Sequence, residues 1–324
     1  MHYLVCGGAG YIGSHMAQWL SAHGHQVTVL DNFSTGHRQA VRWGELVEAD
    51  LLDPASLQRA FAGDRYDAVL HFCASSLVGE SVREPYAYYR NNVAGTLNLL
   101  EAMRQNGVDR LVFSSTAAVY GNPVSGVIGE DHPKAPINPY GASKLMVERM
   151  LADASDAYGL RSVALRYFNA AGALPEHGIG EAHACETHLI PNVLKAALGG
   201  NAQLNVFGED YPTPDGTCVR DYVHVQDLAQ AHALALDYME HKPGAHAFNL
   251  GSGRGFSVRE VIATASEVAG RGIPYEVAPR RAGDPAVLVA SSERARRELG
   301  WAPAWTDLRA IIESAWGWHR DQRF

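Results

Sequence analysis

The sequence predicts an α/β fold built on a doubly wound parallel sheet with a smaller C-terminal α/β region, on three observations. Short β-branched runs alternate with helix-like stretches of about 8–20 residues through the first half of the chain. A glycine-rich turn, Gly7-Gly8-Ala9-Gly10-Tyr11-Ile12-Gly13, follows the first apolar run directly. Near residue 170 the alternation breaks into stretches rich in Gly, Pro, Asp and His.

Taken in order, His2–Cys6 is expected as a strand, Ile12–His23 as a helix and Gln26–Leu30 as a strand. Leu46–Ala49, Ala68–Phe72, Arg110–Ser114 and Ser162–Arg166 continue the sheet. Pro54–Phe61, Tyr86–Gln105 and Tyr140–Tyr158 supply the crossover helices between them, and right-handed crossovers of this kind make the strands parallel. Beyond 170, Ala171–Ala184 and Gly208–Thr217 are expected as loops. Leu189–Leu198, Asp227–Tyr238, Val258–Ala269 and Thr306–Trp318 have helical patterns, and Ala247–Leu250 returns to the sheet. The division is a dinucleotide-binding unit over 1–170, with a return segment near 218–250, and a mainly substrate-binding region over 171–324.

A formal charge of −8 argues against nucleic acid or an anionic membrane as partner, so an anionic substrate would need local basic residues. The four cysteines, Cys6, Cys73, Cys185 and Cys218, show no metal spacing, no metal is expected, and Cys6 and Cys73 fall in strand-like runs as reduced core residues. The first strand begins too early for a signal peptide, and no apolar run approaches the roughly 20 residues of a membrane span. A cytoplasmic protein is the expectation.

The glycine turn has a direct physical reading. Gly7 permits the tight turn, Gly10 lets backbone approach a pyrophosphate, and Gly13 lets helix pack on strand, with the helix positive end aimed at the phosphates. Asp31 closes the second strand, where an acid accepts ribose hydroxyls and repels a 2′-phosphate, favouring NAD, although Arg38 could accommodate that phosphate. Asp50, after the third strand, either bonds the adenine amine or caps a turn.

Tyr140 and Lys144 stand four residues apart, on one helix face. A phenol has an ordinary pKa of about 10, so a base at neutral pH needs cationic help, which the lysine and an oxidised nicotinamide ring would supply. Asn138-Pro139 suits a helix entry. The run Leu111 to Gly121 ends a strand in Ser114, Ser115 and Thr116, at the carboxyl edge where such sheets bind ligands.

These residues together resemble the sugar-nucleotide epimerases of the extended short-chain dehydrogenase/reductase family, over essentially the whole chain. The resemblance rests on Gly7–His15, His71–Phe72, Val78–Val82, Tyr88–Thr96, Ser114–Gly121 and Tyr140–Glu148. Further on it rests on Leu165–Asn169, Leu189–Asn192, Phe207–Thr217, Val219–Asp227, Phe248–Gly253 and Arg280–Asp284. It implies a Rossmann-type sheet, NAD as a resident cofactor, and interconversion of UDP-galactose and UDP-glucose through a 4-keto sugar, possible also on the N-acetylhexosamine pair. In it Tyr140 is the base at the C4 hydroxyl, Lys144 holds the nicotinamide ribose and depresses the tyrosine pKa, and Thr116 aids proton transfer. Tyr11, Ile12, Asn32, Leu51, Phe72, Asn91, Ser114 and Tyr167 join the cofactor side.

On the substrate side the resemblance makes Arg220 and Arg281 a diphosphate clamp, and Asn169, Leu189, Phe207, Tyr222 and Asp284 uridine and sugar contacts. Without it, Arg220 would pair with Asp221. His188 stands either at the diphosphate or as a helix cap. Leu288 either sets the width of the hexose pocket or faces the core. Ser76 replaces a lysine that some members carry near the cofactor phosphates. The resemblance also implies a homodimer through the two long helices. A 4,6-dehydratase would need an acid pair where Ala117 and Ala118 stand. An epimerase of UDP-glucuronate or a UDP-pentose, or a non-catalytic redox-sensing module, are the alternatives.

Overall fold

The computed structural model describes residues 1–63, 65–199, 203–281 and 284–324; Ala282 and Gly283 of the Arg280–Asp284 motif lie outside them. The first half alternates as β1 (His2–Cys6), α1 (Tyr11–Ala22), β2 (Gln26–Asp31), β3 (Glu45–Glu48), α2 (Pro54–Phe61) and β4 (Ala68–His71). It continues with α3 (Val78–Arg83), α4 (Pro85–Tyr88), α5 (Gly95–Gln105), β5 (Arg110–Thr116), α6 (Pro139–Tyr158) and β6 (Arg161–Tyr167). The remainder holds β7 (Asn169–Ala171), α7 (Leu189–Ala197), β8 (Asn205–Phe207), β9 (Val219–His224), α8 (Val225–His241) and β10 (Ala245–Leu250). Last come β11 (Gly255–Ser257), α9 (Val258–Ala269), β12 (Glu276–Ala278), β13 (Val287–Leu288), α10 (Glu293–Leu299) and α11 (Leu308–Arg320).

Seven parallel strands run in the order β10-β6-β5-β4-β1-β2-β3. The order reverses between β1 and β4, and the crevice at their carboxyl ends is where such sheets bind ligands. Strands buried on both faces need continuous apolar runs, and β1, β4 and β5 supply them. One face packs Met16, Leu20, Leu228, Leu236 and Met239 of α1 and α8 on the sheet. The other packs Leu57, Leu99, Met103, Val147 and Leu151 of α2, α5 and α6. A third core joins α7, α9 and α11 through Ile190, Val193, Val261, Ile311 and Ile312. The small sheets β11-β9-β13, with β7 on β9, and β12-β8 sit in this C-terminal part.

The stretch expected as one helix over Tyr86–Gln105 is divided by a π-helical segment, Tyr89–Ala94, between α4 and α5. The widened turn lets Asn92 turn inward, where it accepts from Ser75 N (2.9 Å) and donates to Ser75 O and Ser143 Oγ (3.0 Å each). Cys73 lies beyond the end of β4 rather than within a strand.

Candidate active site

The cofactor side is shaped by backbone contact. Gly7 has φ +80°, and a Cβ there would stand 2.7 Å from the Phe72 carbonyl carbon; one on Gly13 would stand 2.1 Å from the Gly7 oxygen. No side chain caps α1 at Gly10, so the first amides of the helix, from Tyr11 and Ile12, are left for an anionic ligand. The Tyr11 hydroxyl donates to Gly172 O at 2.6 Å, tying the turn to the segment after β7. This cradle fits a pyrophosphate.

Asp31 is buried at the end of β2 and accepts from Ala9 N (2.9 Å) and Phe33 N (2.8 Å). Burial raises its pKa, and these amide bonds oppose the rise. Asp31 thus braces the glycine turn itself, with lone pairs left over for ribose hydroxyls. Asn32 donates to Asp50 Oδ2 (3.0 Å), and Asp50 Oδ1 accepts from Leu52 N (2.8 Å), so Asp50 caps its turn. Leu51, next to it, is buried beneath α5. Arg38 pairs with Glu48 and stacks on Phe33 at 4.1 Å, so it is already engaged.

Asn138 caps α6 by accepting from Gly141 N at 2.8 Å, with Pro139 in the first turn. This sets Tyr140 against the end of β5, with its phenol beside Thr116. Thr116 Oγ1 accepts from Ala118 N (3.1 Å), so its hydroxyl proton is not used by that bond. Lys144 is buried, with Nζ donating to Ser114 O at 2.7 Å and standing 5.9 Å from the Tyr140 ring. Burial pulls its pKa down to about 7. Burial also pushes the Tyr140 phenol above its ordinary value, and the neighbouring Thr116 hydroxyl opposes this. Tyr167 lies beside Ser114 and Tyr140 with its phenol likewise raised by burial, Phe72 packs at the end of β4, and Asn91 donates to Asn92 Oδ1 (3.0 Å).

In the C-terminal part, Arg220 on β9 donates to Asp284 Oδ1 at 2.8 Å and to Pro285 O at 2.9 Å. Its partner is thus Asp284, not Asp221, which is buried and accepts from Ser252 and Ala290 amides at 2.7 and 3.1 Å. Arg281 stacks on Phe207 at 3.8 Å. Asn169 donates to Asp221 O (2.8 Å) opposite Tyr222, which is buried in the C-terminal core with Leu189 packed on it. His188 stands at the N-terminus of α7 but does not cap it; its imidazole is turned to Glu181. Leu288 packs against Val119, Tyr120 and Ile128, with Phe168 and Leu145.

Residues 3–251 match the model of the NAD dependent epimerase/dehydratase family. The chain belongs to this family. A UDP-glucose 4-epimerase of Halalkalibacterium halodurans is 51% identical over 321 residues, 99% of this chain and 96% of its own. The solved UDP-glucose 4-epimerase of Brucella ovis in complex with NAD is 51% identical, with a TM-score of 0.94 and 97% of each chain covered. That of Bifidobacterium longum in complex with NAD+ and UDP is 38% identical, with a TM-score of 0.94 over the full length of both chains.

Sequence reasoning about this family member missed a buried network beneath the hydroxyl edge. Glu148, one turn beyond Lys144, accepts from Ser115 Oγ (2.6 Å) and from Arg166 Nε (2.8 Å), and Arg166 donates to the Tyr120 hydroxyl (2.9 Å). Tyr120 donates to Asn249 Oδ1 (2.6 Å), so β5, α6, β6 and β10 are locked together. An arginine in the apolar run of β6 was the available signal, because a buried guanidinium requires a partner.

Proposed function

We propose that the chain interconverts UDP-galactose and UDP-glucose by inverting C4 through a transient 4-keto sugar, with NAD held as a resident cofactor. The observation that carries this is the Tyr140–Thr116 pair, with Lys144 behind it, at the switch-point crevice. When bound, NAD supplies the hydride acceptor for C4 and a positive ring charge.

Tyr140 takes the C4 hydroxyl proton, and Thr116 steadies the phenolate by donating its free proton. Because burial raises the phenol and pulls Lys144 to about 7, Tyr140 becomes a working base only in the loaded chain. Lys144 holds the nicotinamide ribose; Phe72, Asn91, Ser114 and Tyr167 line that end. Gly7, Gly10, Tyr11, Ile12 and Gly13 cradle the pyrophosphate, Asp31 and Asn32 take the ribose, and Asp50 and Leu51 flank the adenine. Arg220 and Arg281 clamp the sugar-nucleotide diphosphate, since a guanidinium fork matches phosphate oxygens. The remaining contacts fall to Asn169, Leu189, Phe207, Tyr222 and Asp284, while the sugar turns about its diphosphate linkage to present its other face. Purified chain given UDP-galactose and no added dinucleotide should form UDP-glucose. A strict need for stoichiometric NADH would make it a dehydrogenase instead.

The same reading includes a homodimer. Between α5 and α6 an open groove is lined by Leu97, Leu100, Met150, Ala154 and Tyr158, and Leu97 and Tyr158 are exposed. Sedimentation should give twice the chain mass. All four cysteines are free, which suits a reducing compartment such as the cytoplasm, and among the described residues no helix is long and apolar enough to cross a membrane.

A further inference from the structure

The segment between β7 and α7 folds back over the glycine turn. The ring of His37 meets Ala182 O at 2.7 Å, and Trp318 Nε1 donates to Glu181 O at 2.9 Å. Within this segment Glu181, His183, Glu186 and His188 converge, their four ligand atoms all within 4.8 Å of one another. Both carboxylate side chains are only 4% exposed, although they carry the negative charge. Glu186 Oε2 is buried without a hydrogen bond, 3.4 Å from His183 Nδ1. His183 Nδ1 lies 3.3 Å from Glu181 Oε1, and His188 Nδ1 lies 3.8 Å from Glu186 Oε1 and against Glu181 Oε1.

We propose that Glu181, His183, Glu186 and His188 form a structural site for a zinc-type divalent cation. Bonds of about 2.0–2.1 Å to four tetrahedral ligands put those ligands about 3.3–3.4 Å apart; the His183 separations from Glu181 and Glu186 match this spacing, while His188 stands closer to Glu181 and farther from Glu186 and would shift as the ion binds. Two neutral imidazoles and two carboxylates balance a dication. Two nitrogen donors favour zinc over magnesium or calcium, which prefer six or more oxygens. Four protein ligands leave no open position, so the ion would act by tying the segment over the glycine turn to the start of α7. This inference does not depend on the proposed reaction.

The test uses the full chain, stripped with chelator and titrated with Co²⁺ as the probe. The expected result is saturable binding of one ion per chain, with the intense visible absorption of tetrahedral cobalt and no near-ultraviolet thiolate band. Zn²⁺ should displace the cobalt one for one and raise the thermal midpoint. His183→Gln and Glu186→Gln should each weaken binding by about a hundredfold or more, since even residues behind a ligand are worth about 10–100-fold. Cys185→Ser should bind as before, although Cys185 is an exposed thiol in the same segment. Weak octahedral absorption or no saturation with the unaltered chain would overturn the proposal, whatever the folding of the variants. So would full affinity in both ligand variants, or loss of binding in Cys185→Ser.

Discussion

The two halves of the proposed site are built by different means. At the glycine turn, α1 and the strands meet backbone to backbone, so tightly that a Cβ on Gly13 would lie 2.1 Å from a carbonyl oxygen, and Asp31 bolts the turn from below. At the far wall, Arg220 and Arg281 are long side chains on short strands and loops, held by Asp284 and by the Phe207 ring. Backbone contact fixes a cradle to within tenths of an ångström, whereas side chains re-pair at modest cost. A fold organised this way can keep one cofactor and one chemistry while the sugar it accepts varies.

The strongest way to break the comparison lies where the halves meet. Tyr140→Phe should lower turnover by about 10²–10⁴-fold while UDP-sugar affinity changes little, because the phenol acts mainly in the transition state. Retention of a tenth of the activity would remove Tyr140 from the reaction. Gly13→Ala tests the rigid half: the clash with Gly7 admits no cheap relief, so it should cost about 3 kcal/mol or more and release the dinucleotide, read from denaturant midpoints and bound-cofactor absorbance.

Acid tests the same half more gently. His15, His71, His224 and His232 are buried neutral, with pKa values pulled by burial to about 4, 3, 3 and 4. The unfolded imidazoles take up protons at about 6.5 and the folded ones do not. Their contribution is complete above pH 6.5 and is lost as pH falls toward 4, at up to about 1.4 kcal/mol per pH unit for each group. The urea midpoint should therefore drop between pH 7 and pH 5. A flat profile would mean that these rings are not held neutral.

The smallest effect belongs to the adjustable wall. Leu288→Tyr should depress activity on the N-acetylated UDP-sugars far more than on UDP-galactose, by about tenfold, in the range of 1–3 kcal/mol that one apolar contact can discriminate. Equal losses on both would make Leu288 a support for Val119 and Tyr120 alone.

What was legible in the sequence follows the same division. The sheet, the glycine turn and the Tyr140 helix announce themselves because periodicity, Gly spacing and the Asn138-Pro139 entry are local signals. The π-helical segment was not legible, since Asn92 draws its partners from Ser75 and Ser143, 17 and 51 positions away. The partner of Arg220 lies 64 positions off at Asp284, while the sequence offers the adjacent Asp221. The acids and histidines of 181–188 follow neither helical nor strand spacing, so only the folded loop reveals their convergence.

The central claim is that C4 loses and regains the same hydrogen within one closed site, with Tyr140 handling only the hydroxyl proton. Converting UDP-galactose in D₂O without added dinucleotide, and reading the product by NMR, tests it most directly. The account predicts UDP-glucose with protium retained at C4. Deuterium at C4 would mean exchange with solvent, and would contradict it.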